Sequence, residues 1–179
     1  VLATLQQFRF IARGEDGLYH PAAGLAVLGA SFEGNLRQIT TSTLRRLAEE
    51  VRTTVALFVA EAEEQVAISV IVPANVSYQL AVHQGSRYTL QRGAAGIALR
   101  AGMPARPGER EQVTQTREKG WIVTYGEIEP DTYGLAAVVP RAAKSTPVCL
   151  NVISHRRDVI DRSIEPLKRA AADLSEIIG

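Results

Sequence analysis

The chain has 179 residues, with 20 Lys+Arg against 19 Asp+Glu, a net charge of +1, and 46% hydrophobic and 22% charged residues. This composition is ordinary for a globular protein, and the balanced charge gives no bulk affinity for nucleic acid or for membrane surfaces. The single Cys149 excludes an intramolecular disulfide and fits a reducing, cytoplasmic compartment. His20, His83 and His155 are too dispersed for metal-ligand spacing, so neither a metal nor a cofactor is expected. No run reaches the roughly 18 apolar residues of a membrane helix. The length suits one domain of ordinary size plus a smaller appendage.

Val1, Leu5 and Phe8 fall on one helical face, so Val1 to Phe8 reads as the end of a helix that starts in mid-pattern, and a preceding segment is expected. Phe10–Arg13 and Leu18–His20 flank Gly14-Glu-Asp-Gly17, a strong hairpin signal. Helix followed by hairpin is the outline of a winged helix, and equally of a plain N-terminal cap. Ala22–Ala30 predicts a small apolar helix. Asn35–Val51 predicts a second, with Leu36, Thr40, Leu44, Leu47 and Val51 on its buried face. This second helix is either a dimer-forming linker or a helix packed on a sheet.

From Thr54 the texture turns to β-branched residues. Thr54–Ala60, Gln65–Pro73 and Val76–Val82 read as strands, with Glu61–Glu64 a turn between the first two. A short apolar-alternating stretch from Tyr88 then runs into Arg92-Gly-Ala-Ala-Gly96 and a helix over about Ala94–Ala101, ended by Gly102 and Pro104. Glu109–Lys119 predicts a polar helix stopped by Gly120. Trp121–Tyr125, Leu135–Val139 and Val148–Ile153 are three more strands. The last helix shows the cleanest periodicity of the chain, through Ile160, Ile164, Leu167, Ala171, Leu174 and Ile178, and Pro166 is expected in the first turn of its regular part or at a kink. Strand runs with helices grouped between them argue an α+β fold built on an antiparallel six-stranded sheet.

Chemistry is sparse. The junction at Gly93, Ala94, Ala95 and Gly96 exposes backbone N–H groups at a helix start, where a small anion can approach; the same small residues also serve close packing. It lacks the Lys-Ser/Thr of a phosphate loop and the third glycine of a dinucleotide fingerprint. Cys149 lies in an apolar strand and reads as an inert thiol. Ser154-His155 has no nucleophile elbow around it. Glu127 and Asp131 flank a turn, which reads as a solvated turn before it reads as a carboxylate pair. Trp121 and Tyr125 read as core residues, with Tyr125 a candidate for a pocket wall. Arg9 and Arg13 on the hairpin are candidate phosphate contacts, offset by Glu15 and Asp16.

In this order the residues resemble the IclR-type transcriptional regulators. Leu2 to His20 resembles the end of that family's recognition helix and its wing, and Pro21 to Gly29 the entry to its linker helix. Gly85 to Gly96 is similar to the stretch leading into its pocket helix. Gly120-Trp121, Gly126-Glu127 and Leu135–Val138 follow in the family's order, and Leu167–Gly179 resembles its C-terminal helix. The resemblance spans the chain and implies three parts: a partial winged helix over 1–21, a linker helix over 22–34, and a GAF-like effector domain over 35–179, with most of the helix-turn-helix absent. It implies an operator DNA partner, self-association as a dimer or tetramer, and a small organic or aromatic acid as effector. The pocket positions it carries over are Leu80, Tyr88, Ala94, Ala95, Glu127, Val138, Asn151 and Ile153. Ile97 stands where a Lys is common, and Asn151 and Ile153 stand where hydroxyls are common, which points to a less polar ligand than a two- or three-carbon oxoacid. The competing reading is a small α+β enzyme acting on an acid or ester, for which no converging nucleophile, base or metal is found.

Overall fold

The structure, a computed structural model, describes residues 1–31, 36–73, 82–142 and 145–179. The expected strand over Val76–Val82 and the candidate pocket residue Leu80 lie outside the described residues, apart from Val82. The chain divides into two compact units, Val1–Ile39 and Thr40–Gly179.

In the first unit, α1 (Leu2–Gln7) leads into the hairpin β1 (Ile11–Arg13) and β2 (Tyr19–Pro21), with Ile11 opposite Pro21 and Arg13 opposite Tyr19. Gly17 at the tip has φ 76°, and the Asp16 carboxylate accepts the Leu18 N–H at 3.0 Å. The Arg9 carbonyl accepts the Gly24 N–H at 2.9 Å, joining the end of α1 to the start of α2 (Ala23–Ser31).

The second unit holds most of α3 (Leu36–Val51), whose expected face of Leu36, Thr40, Leu44, Leu47 and Val51 is buried throughout. It continues with β3 (Thr54–Glu61), β4 (Glu64–Ile71), β5 (Arg87–Thr89), α4 (Gly93–Ala101), α5 (Glu111–Lys119), β6 (Trp121–Tyr125), β7 (Tyr133–Val139), β8 (Val148–Ser154) and α6 (Arg157–Ile178). The six strands form one antiparallel sheet in the order β5-β4-β3-β8-β7-β6. This is the α+β, six-stranded antiparallel architecture expected, with the short strand Arg87–Thr89, not among the six foreseen, at one edge. Arg87 holds that edge by ion pairs to Glu61 and to Glu64, the latter at 2.8 Å.

Side chains alternate across the central strands. Ala56, Phe58, Ala136, Cys149 and Ile153 join Ala94, Ala95, Ala98 and Leu99 of α4 in one core cluster. On the other side α6 packs along β7 and β8, burying Ile160, Leu167, Ala171 and Leu174. α3 is tied to α6 by the ion pairs Arg46–Asp173 and Arg169–Glu50. Pro166 falls inside α6, not in its first turn, because the helix begins at Arg157; the buried stripe on either side carries the helix through a position that lacks one N–H donor. α5 starts at Glu111, two positions later than expected. Glu109 is instead spent on an ion pair with Arg117 and on accepting the Arg106 N–H at 3.4 Å.

Candidate ligand-binding site

The junction before α4 is built by Gln65. This glutamine is 1% exposed, and its Nε2 donates to the carbonyls of Thr89 and Arg92, each at 2.8 Å. The two bonds fix the last residues of the strand–helix connection and so aim the first turn of α4. Gly96 allows that closeness, since a Cβ there would lie 2.7 Å from the Leu90 carbonyl and 3.0 Å from Gln65 Nε2. Gly93 has φ 76°, a left-handed conformation that side chains resist, and a Cβ would lie 2.8 Å from Ile128 Cγ1. Close packing and an open helix start therefore coexist in the same few residues.

A cavity opens at this helix start, with free space of about 40 Å³. Its apolar walls are Phe58, Val82, Tyr88, Ala94, Ala95, Ile128 and Ile153. Its polar lining is Gln65, Thr124, Glu127, Glu129, Thr132 and Asn151. Among the described residues no Lys, Arg or His lines it. Of the positions carried over from sequence, Tyr88, Gly93, Ala94, Ala95, Glu127, Asn151 and Ile153 come together here. Gly96 is not on the wall; it is occupied by the packing just described. Val138 is not either, for its Cγ1 stands 3.3 Å from where a Cβ on Gly102 would be, and it borders a separate depression with Met103 and Pro104. Phe58, Gln65, Thr124, Ile128, Glu129, Thr132 and Gly134 line the cavity without having been anticipated. Strand pairing places some of them: Gly134 pairs with Thr124 on one side and Ile153 on the other, and Phe58 pairs with Cys149.

Two features give the cavity its chemistry. The Gly93 N–H donates to the Glu127 carboxylate at 2.7 Å. Asn151 is 7% exposed, and its Oδ1 is buried without a hydrogen-bond partner. A built Cβ on Gly134 would lie 3.3 Å from Ala94 Cβ and 3.7 Å from Asn151 Oδ1, so this orphan acceptor faces the first turn of α4. A buried acceptor without a donor costs about 1–3 kcal/mol, a cost that a ligand N–H or O–H removes.

The segment 126–132 lines the cavity through Glu127, Ile128, Glu129 and Thr132. The Gly126 N–H donates to the Thr132 carbonyl at 2.9 Å, and His155 Nδ1 donates to the Asp131 carbonyl at 3.0 Å. Tyr125 is 54% exposed and donates its hydroxyl to Asp131 at 2.8 Å, a bond that raises the phenol pKa; it does not line the cavity. Glu127 and Asp131 thus have separate partners and form no acid–base pair. Burial pushes the Cys149 thiol well up, and its Sγ donates to the Ala95 carbonyl at 3.6 Å. Ser154 Oγ accepts the Arg156 N–H at 3.1 Å, a local turn contact. No cluster of three metal-ligating side chains exists among the described residues, and no described helix is long and apolar enough to cross a membrane.

On the hairpin, Arg13 donates from Nε to the Gly17 carbonyl at 3.0 Å, and Arg9 has φ 57° at the end of α1. Both side chains are exposed.

No known protein family and no curated protein matches the sequence. Solved structures do match. An IclR homolog from Microbacterium hydrocarbonoxydans, complexed with 4-hydroxybenzoate, superposes with a TM-score of 0.80 over 99% of this chain and 82% of its own, at 18% identity. The chain has the fold of the IclR-type transcriptional regulators. An IclR transcriptional regulator from Alicyclobacillus acidocaldarius aligns with a TM-score of 0.76 at 21% identity, over 99% of this chain and 83% of its own. The IclR protein of Thermotoga maritima aligns with a TM-score of 0.72 at 19% identity, over 99% and 83%. The likeness runs through the hairpin unit as well as the sheet unit.

Proposed function

We propose that the chain is the sensing part of an IclR-type transcriptional regulator, and that the cavity at the start of α4 binds a small organic acid without turning it over. One observation carries the reading. Helix-start N–H groups, apolar walls and the orphan acceptor Asn151 Oδ1 converge on one cavity, and among the described residues no nucleophile–base pair lines it. The first turn of α4 suits a carboxylate, since its N–H groups have no partner within the helix and sit at the positive end of its dipole. Phe58, Val82 and Tyr88 suit the body of the ligand, and Asn151 suits a hydroxyl at its far side. The 4-hydroxybenzoate bound by the Microbacterium homolog has both groups, so hydroxylated aromatic acids head the candidates.

DNA is the second partner in this reading. Arg9 after α1 and Arg13 on the hairpin, both exposed, suit phosphate contacts that position a winged helix without reading sequence. Self-association is the third. α2 is apolar on every side, and Leu25, Val27 and Leu28 stand 44%, 71% and 50% exposed, a surface that a second copy would cover. Ligand binding would then bias the arrangement of copies and, through it, the spacing of the DNA-binding heads, in the cytoplasm where the operator lies. The test is a thermal-shift screen of aromatic and aliphatic acids with the ligand followed by NMR in the same sample. Saturable stabilisation with the ligand unchanged supports a sensor. Product formation would sink it in favour of an enzyme.

A further inference from the structure

The helix start that suits a ligand carboxylate already holds one. Glu127 Oε2 accepts the Gly93 N–H at 2.7 Å, from a position far along the chain. Glu127 belongs to the 126–132 segment, and its neighbour Ile128 rests on Gly93. The contact therefore also holds that segment against the cavity, which Glu127, Ile128, Glu129 and Thr132 line. A second observation marks the same space as a ligand position: Asn151 Oδ1 is buried, has no partner and faces the first turn of α4 across Gly134.

Size and charge then set the terms. About 40 Å³ of free space is well short of the ~150 Å³ of a cavity that takes up benzene, so an aromatic ring needs more room. A ligand acid would also meet the Glu127 carboxylate on the wall, and among the described residues no Lys, Arg or His lines the cavity. Both obstacles ease if the Glu127 side chain leaves. Its departure frees the Gly93 N–H, enlarges the cavity and removes one negative charge from the site.

We propose that Glu127 is an internal stand-in for the effector's carboxylate: it caps α4 in the empty protein, and ligand binding exchanges one carboxylate for another, releasing the 126–132 segment. This rests on the sensor reading and adds what that reading lacks, a ligand-linked change in the fold. No charge is created or lost at the helix start. The signal is the freed segment, which is anchored to β8 through His155 and to β6 through Tyr125.

The test is chemical rescue in the full chain, labelled with ¹⁵N. Glu127→Ala should move the Gly93 amide proton upfield as it loses its acceptor. Sodium acetate, titrated at constant ionic strength against chloride, should restore the shift saturably and bind at least about tenfold tighter than to the unsubstituted protein. Glu127→Gln, nearly the same shape without the charge, should fall between the two and guards against a loop that merely rearranges. Acetate binding no better to Glu127→Ala than to the original chain, or a Gly93 amide indifferent to the substitution, would overturn the proposal. The two readings fail separately. Acetate rescue with no larger acid binding removes the sensor and keeps the exchange. A larger acid that binds while the Gly93 amide stays bonded to Glu127 removes the exchange and keeps the sensor.

Discussion

Gly134 on β7 and Asn151 on β8 together leave the gap in which the site forms: a Cβ on Gly134 would stand 3.7 Å from Asn151 Oδ1, 3.4 Å from Thr124 Oγ1 and 3.3 Å from Ala94 Cβ. The missing side chain lets the first turn of α4 approach the polar strand face while leaving the space beside Asn151 Oδ1 unfilled. Its φ lies outside the left-handed region, so the backbone accepts alanine. Gly134→Ala should therefore cost little stability, about 1 kcal/mol for a tight methyl, and should lower ligand affinity by about tenfold or more. Thermal melts and calorimetry on the same preparation check both halves. Unchanged affinity would place the ligand elsewhere.

Asn151→Leu keeps the volume and removes the orphan acceptor. The empty protein should become more stable, by about 1 kcal/mol, because a buried group without a partner no longer has to be desolvated. Affinity for a hydroxylated acid should fall towards that for the same acid without its hydroxyl. A destabilised Asn151→Leu protein would mean that the amide is satisfied and structural.

The α+β plan, the face of α3 and the stripe of α6 were legible in sequence because each is a long periodic signal, and burial of Leu44, Leu47, Leu167 and Leu174 follows the period. Much of the cavity wall was not. Phe58, Gln65 and Gly134 reach it through strand pairing across the sheet, and register is invisible to a local pattern. Val138 points the way that strand alternation requires but sits too far along β7, beside Gly102. The double use of Gly93 and Gly96, one for a left-handed turn and one for close approach, could not be separated until Gln65 was seen bridging Thr89 and Arg92. A signal for Gln65 did exist: it is a large polar residue on the inward phase it shares with Ala67 and Ser69, and such a residue needs buried partners.

Gln65→Leu should accordingly harm both fold and site. It leaves the Thr89 and Arg92 carbonyls without their donor, at a cost of about 1–3 kcal/mol, and loosens the aim of α4. Denaturant unfolding should show the loss, and ligand affinity should fall although the leucine side chain adds no bulk at the helix start. Stability equal to the original chain would mean that other contacts position α4.

The Glu109–Arg117 pair predicts acid sensitivity. The Arg117 side chain donates to Glu109, and this bond above all holds the carboxyl down at about 2, below its ordinary value of 4.5. Arg117 also donates to the carbonyls of Ala101, Arg100 and Met103 at the end of α4, at 3.2, 3.4 and 3.4 Å. A carboxyl whose pKa is depressed by folding stabilises the fold above its unfolded value and loses that contribution as pH falls through the folded value. The contribution of Glu109 is therefore full above about 4.5 and fades down to about 2. Melting temperature measured from pH 6 to pH 2 should fall less steeply in Glu109→Gln over that window. Parallel curves would mean that the pair contributes nothing.

The most direct test of the sensor reading is to follow the backbone amides of the ¹⁵N-labelled chain while titrating 4-hydroxybenzoate and related acids, and to watch the ligand's own signals in the same tube. The account predicts saturable shifts centred on Gly93, Ala94 and Ala95, with the ligand recovered unchanged. Saturable shifts elsewhere, or conversion of the ligand to product, would contradict it.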